Sequence, residues 1–230
     1  MLLLATDTSG KHGSIALAKC GAGEECDVLE VVALAGGTFS AQLIPQIGAL
    51  LEKHGFTKLN IGGFAVVSGP GSFTGLRVGL AAIKGLAEVL EKPIAAVSLL
   101  EAVAESSQSQ GRILAVLDAG RNEVYVGEFE IGRSERRLIS EALMPRQQCF
   151  ESARESTIVT PDQNLAEATR AAHLRVDHVA FPRSDAVARI GWRRIQAGRT
   201  VSPDELEANY IRRSDAELFA RSNSQGSALN

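Results

Sequence analysis

Two stretches, Ala5–Leu17 (ATDTSGKHGSIAL) and Ala115–Phe129 (AVLDAGRNEVYVGEF), share one pattern. Each opens as an apolar run and breaks at an acidic residue, Asp7 or Asp118. Each then crosses a polar turn and resumes as a second β-rich run. The pattern occurs once in each half of the chain. This is weak internal repetition, of the kind a duplicated domain leaves.

Working outward from the first copy, Leu2–Thr6 reads as a buried strand, Ser14–Lys19 as its return and Val28–Ala35 as a third strand, together an antiparallel meander. Ser40 is placed to N-cap a helix over Ala41–His54, with Leu43, Ile44, Ile47, Leu50 and Leu51 at helical spacing and Pro45 near the first turn. A short β run at Phe64–Ser68 leads through a Gly-rich loop to a helix over Thr74–Glu91. A strand at Pro93–Val97 follows, parallel by the βαβ rule, and Ser98 caps a helix reaching about Ser107. The polar segment SSQSQG, Ser106–Gly111, reads as a linker, so the expected division is 1–107 and 108–230. After it come strands at Ile113–Asp118 and Glu123–Glu130. Residues 134–182 carry no clear pattern. Ser184–Gly198 is expected as a helix with Val187, Ile190, Gly191 and Ile195 inward and Arg189, Arg193 and Arg194 outward, and the last ten residues as a frayed end. The fold class that follows is α/β: two βββαβα-type subdomains side by side, the arrangement of actin-like and sugar-kinase ATPases.

Composition narrows the function. The 230 residues are 45% hydrophobic with a net charge of −3, which suits a packed globular protein. No stretch approaches the roughly 18 apolar residues of a membrane span. The start, MLLLATDTSG, lacks the basic and long apolar regions of a signal peptide, and a cytoplasmic protein is expected. Cys20, Cys26 and Cys149, an odd set without a tight CxxC, predict reduced thiols rather than a disulfide framework or a zinc site. Residues 1–110 hold seven Lys/Arg against ten Asp/Glu, and the rest hold 17 against 17, so neither half is a basic nucleic-acid module. The arginines Arg189, Arg193, Arg194 and Arg199 offer at best a weak contact with tRNA.

The loop SGPGSFTGLRVG, Ser68–Gly79, places Gly69, Gly71 and Gly75 between a strand and a helix N-terminus. Such a turn presents free N–H groups to an anion. It is not a Walker A loop, because Leu76-Arg77 stands where GK[ST] requires Lys-Ser/Thr, and it lacks the acidic partner of a dinucleotide fingerprint. Two readings stay open: a phosphate site formed with the first hairpin turn (Asp7, Thr8, Ser9, Gly69, Gly71 and Ser72), or a tight strand-to-helix turn. Either Thr74 or Ser72 is positioned to cap the helix. That helix is apolar on nearly every face, and Ala41–His54 also exceeds one stripe, so both are candidates for a helix–helix interface. Leu43, Ile47, Leu50, Gly75, Leu76, Gly79, Ala82 and Ile83 are its expected residues.

The chain resembles the TsaB (YeaZ) family of the actin-like ATPase superfamily. The resemblance rests on LATDTS at Leu4–Ser9, GPGSFTGLRVG at Gly69–Gly79, KGLA at Lys84–Ala87, PIAAVSLLEAVA at Pro93–Ala104, AVLDAGRNEVYVGEF and NYIRR at Asn209–Arg213. It implies the ASKHA, RNase H-like fold in two similar subdomains. It also implies an accessory role in tRNA threonylcarbamoyladenosine modification at position 37. The expected partners are TsaD as a heterodimer, TsaE, and a second copy of the chain when alone, with tRNA reached only indirectly and no membrane. No catalytic residue, metal or resident cofactor is expected, with ATP bound only within the complex and Asp7 in a vestigial nucleotide site. TsaD, a glycopeptidase-like relative, carries a metal-binding His-x-x-x-His helix, and the corresponding positions here are about Leu99 and Val103, neither a ligand. Relatives often have His before Ser/Thr where this chain has Phe39-Ser40. The competing reading is an actin-like ATPase or a glycopeptidase-type enzyme.

Overall fold

A computed structural model describes residues 1–23, 25–132 and 136–211. The last ten residues, expected as a frayed end, and Arg212 and Arg213 of NYIRR lie outside the described residues.

Two five-stranded sheets are built on one topology. In the first, β1 (Leu2–Asp7), β2 (Gly13–Cys20) and β3 (Cys26–Leu34) form the antiparallel meander, and β4 (Ile61–Gly69) and β5 (Ile94–Ser98) add in parallel on the other side of β1. The second repeats the order with β6 (Gly111–Gly120), β7 (Glu123–Ile131), β8 (Arg136–Pro145), β9 (Thr157–Thr160) and β10 (Val176–His178). The duplicated strand, acidic turn, strand pattern is therefore the opening of each half of a two-subdomain, ASKHA-type fold. All six residues of β1 are buried, as a central strand covered on both faces demands.

Helices α1 (Phe39–Lys53) and α2 (Phe73–Leu90) lie side by side on one face of the first sheet. α1 begins before the expected Ser40 cap. Its N-cap is Thr38, whose hydroxyl donates to the Ala35 carbonyl and accepts from the Gln42 side chain instead of capping, and Phe39 is buried at the first helical position. Ser72, rather than Thr74, caps α2 by accepting from Gly75 N–H at 3.3 Å, and Ser98 caps the short α3 (Leu99–Glu105). α4 (Arg146–Ser152) and α5 (Gln163–Ala171) cover one side of the second sheet, while α3 packs against β6 and β7.

The last helix, α6 (Ser184–Gln196), crosses back and packs across the first sheet. A Cβ on Gly191 would lie 2.3 Å from the Ala65 Cβ, so only glycine permits this approach. α6 also meets α3. There Arg193 pairs with Glu105, and Arg194 pairs with Glu101 and donates to the Ala96 carbonyl. The expected outward position of Arg193 and Arg194 is thereby corrected: the polar side of α6 faces the acidic side of α3 instead of open solvent.

Candidate functional site

A cleft of about 1310 Å³ separates the two subdomains. One wall is the first hairpin turn and the glycine loop, with Asp7, Ser9, Gly71 and Ser72. The other carries Asp118, Asp162 and Arg183, and Lys11 and His12 also line the space. The equivalent acidic turns of the two halves thus face one cavity, as the duplicated topology requires.

Asp7 ends β1 and is 2% exposed. Its Oδ1 accepts from the Ser9 N–H at 2.8 Å and from the Ser9 hydroxyl at 2.6 Å. Burial pushes its carboxyl above the usual carboxylate range, and the two bonds from Ser9 oppose that shift. Of the six residues expected around a nucleotide, Asp7, Ser9, Gly71 and Ser72 line the cleft. Thr8 and Gly69 stand behind it. Thr8 points the other way, and its hydroxyl donates to the Gly75 carbonyl at 2.8 Å.

The glycines of the loop have a packing reason. A Cβ would lie 2.5 Å from the Ser9 carbonyl oxygen at Gly71, 2.1 Å from the Thr8 carbonyl oxygen at Gly75 and 2.3 Å from the Thr8 Oγ1 at Gly79. Gly69 has φ +137°, and its Cβ would meet the Asn209 carbonyl oxygen at 2.7 Å. The loop and the start of α2 are pressed onto the hairpin turn, backbone to backbone. The N–H of Ser72 donates to Ser9 O at 2.7 Å and that of Gly75 to Ser72 Oγ. Two donors that a phosphate would use at this helix start are already engaged.

The expected helix–helix interface is corrected in its residues. Leu43, Ile47, Leu50, Gly75, Leu76, Gly79 and Ile83 are all buried in the chain's own core, beneath α1 and α2, and Ala82 is half-buried. The solvent face holds Ala41, Ile44 and Gly48 on α1 and Ala81, Gly85 and Val89 on α2. Ile44 is 50% and Val89 75% exposed, and a Cβ on Gly48 or Gly85 would meet nothing within 4 Å. The two helices carry an apolar outer face in addition to their core face, with different residues on each.

Sequence reasoning missed the role of the C-terminal segment around Asn209–Ile211, although NYIRR stood out as a motif. The Asn209 N–H donates to Ser68 O at 2.7 Å and its side-chain amide to Glu141 at 2.6 Å. Tyr210 lies 5.2 Å from the Phe73 ring, and Arg77 stacks 3.8 Å over that ring while donating to the Tyr210 hydroxyl at 3.2 Å. This segment straps the glycine loop from outside. Leu99 and Val103 are buried on α3. Among the described residues, no three His, Cys, Asp or Glu side chains gather to hold a metal ion, and no helix is long and apolar enough to cross a membrane.

The family model for TsaD, tRNA N6-adenosine threonylcarbamoyltransferase, matches residues 33–187. The chain is 34% identical to the tRNA threonylcarbamoyladenosine biosynthesis protein TsaB of Bacillus subtilis, over 56% of either chain. It is 28% identical to the TsaB of Escherichia coli over 92% of this chain and 95% of that one. A crystal structure from Pseudomonas aeruginosa, described as an uncharacterized protein with similarity to peptidase YeaZ, superposes with a TM-score of 0.73 at 27% identity, covering 92% of this chain and 99% of that one.

Proposed function

The chain belongs to the TsaB/YeaZ family, within the group that the TsaD model describes, and from this premise we propose that it serves tRNA threonylcarbamoyladenosine biosynthesis as a non-catalytic partner subunit. It binds TsaD as a heterodimer, works with TsaE, and pairs with a second copy of itself when TsaD is absent. The observation that carries this reading is the outer face of α1 and α2. A soluble protein gains nothing from leaving Ile44 and Val89 in water beside Gly48 and Gly85, whereas a partner helix packs closely on such small residues.

The cleft supports the non-catalytic half of the proposal. Its glycines are filled by Thr8 and Ser9, and Asp7 is bonded inward to Ser9. tRNA is reached through the partner: the chain is net acidic, and Arg193 and Arg194 are held by Glu105 and Glu101. The size of the cleft favours the second reading, an ATPase with nucleotide against Asp7. Mixing purified chain with TsaD and measuring the mass of the eluted species tests the first reading. A 1:1 complex is expected, and separate elution of two folded proteins would overturn it.

A further inference from the structure

Cys20 ends β2 and Cys26 begins β3, and the two are directly opposite partners in the antiparallel register. The backbone bonds of Cys20 settle which kind of pair this is. Its N–H donates to the Met1 carbonyl at 2.8 Å, and its carbonyl accepts from the Met1 ammonium at 2.6 Å. Both groups therefore point to β1 and away from β3. The next pair bonds across the hairpin, with the Gly21 N–H donating to Glu25 O at 3.1 Å. Cys20 and Cys26 form a non-hydrogen-bonded pair, the type with the shorter Cα separation, about 4.5 Å. That separation lies within the range that a disulfide spans, about 4.4–6.8 Å. The sulfurs are 2.8 Å apart, with a thiol hydrogen bond between them.

We propose that Cys20 and Cys26 are a dithiol modification site, which a low-molecular-weight disulfide of the glutathione type oxidises to a cross-strand disulfide within the chain. Cys26 is the attacking sulfur, because it is partly exposed while Cys20 is 3% exposed. The hydrogen bond from the Cys20 thiol, followed by the nearby Arg189 and Arg193, holds the Cys26 thiol below its ordinary range. The same hydrogen bond, and then burial, pushes Cys20 up. The Cys26 thiolate attacks one sulfur of the reagent. The reagent S–S bond breaks, a mixed disulfide forms on Cys26, and the departing thiolate takes up a proton. Cys20, deprotonated as it reacts, then attacks the Cys26 sulfur and expels the second thiolate. Two protein thiols are oxidised, one reagent disulfide is reduced, and two small thiols are released. The hairpin end is already anchored, with Trp192 Nε1–H donating to Gly23 O at 2.9 Å and Gln196 to Gly21 O at 3.3 Å, so ring closure needs little rearrangement. Cys149 lies apart in the second core cluster, buried and pushed up to about 11.

The test equilibrates the full chain against a series of oxidised-to-reduced glutathione ratios, traps free thiols by alkylation, and reads intact mass and a digest that cuts after Glu25. The expected product has lost two hydrogens, links Cys20 to Cys26 and keeps Cys149 as a thiol. Its equilibrium constant for closure exceeds that of a synthetic peptide spanning residues 17–29 by about tenfold. Cys20→Ser is expected to stop at a glutathione adduct on Cys26. A closure constant no better than the peptide's, a stable adduct on wild-type Cys26, or cross-linking between chains would each overturn the proposal.

Discussion

The Thr8 hydroxyl donates to the Gly75 carbonyl at 2.8 Å, while the Thr8 carbonyl oxygen stands where a Cβ on Gly75 would have to go. The first hairpin turn and the start of α2 are thus a single packed unit. Gly75→Ala and Gly79→Val should each destabilise the chain by about 1–3 kcal/mol through overpacking. Gly85→Ala, which meets open space in a helix, should stabilise it by up to about 1 kcal/mol. Urea unfolding of the three variants checks this, and equal effects at Gly79 and Gly85 would contradict the packing account.

Asp7 carries a pH signature. Its folded-state carboxyl lies above the ordinary aspartate value because burial disfavours the charged form. The folded chain therefore holds this proton more tightly than the unfolded one. The contribution of Asp7 to stability is most favourable below its unfolded value and declines as pH rises through the folded value. Asp7→Asn removes that decline, so its stability relative to wild type should rise from pH 4 to pH 7, reaching a gain on the order of 1 kcal/mol. Thermal unfolding of both proteins across that range reads it; a difference that is flat or falls with pH would refute it.

The outer face of α1 and α2 predicts which substitutions separate binding from folding. Ile44→Glu and Val89→Arg should leave the chain folded, with an unchanged circular-dichroism spectrum, because both sites are surface positions. Either should weaken co-elution with TsaD at least about tenfold, the effect of losing a buried apolar contact and desolvating a charge. Analytical ultracentrifugation of the isolated chain should show the same variants as monomers. Retained binding in both would move the interface elsewhere.

Nucleotide binding separates the accessory reading from the ATPase reading. Titration of the isolated chain with ATP and Mg²⁺ should give no saturable heat at micromolar concentrations, since the N–H groups of Ser72 and Gly75 are already engaged. Micromolar binding that Asp7→Ala abolishes would favour the enzyme.

The first sheet's strands and the opening hairpin of the second were legible from local pattern alone, whereas β8, β9 and β10 were not, because residues 134–182 carry no clear pattern. Apolar runs broken at Asp7 and at Asp118 mark the start of each half, since a central strand must be apolar on both faces and a tight polar turn must follow it. The helices α1 and α2 were legible too, as was their surplus of apolar residues. Which of those residues meet the core was not, because a helix apolar on most sides gives no rotation angle; contact with β1 and β4 selects Gly75, Leu76, Gly79 and Ile83 and leaves Ala81, Gly85 and Val89 outside. The pairing of Arg193 and Arg194 with Glu105 and Glu101 depends likewise on α6 crossing back to the first sheet. The glycine loop teaches the same lesson: its spacing in sequence signals close backbone approach, and only the folded chain decides that Thr8 and Ser9 are what approaches, because they are remote in sequence and the pairing of β1 with β4 brings them beside the loop.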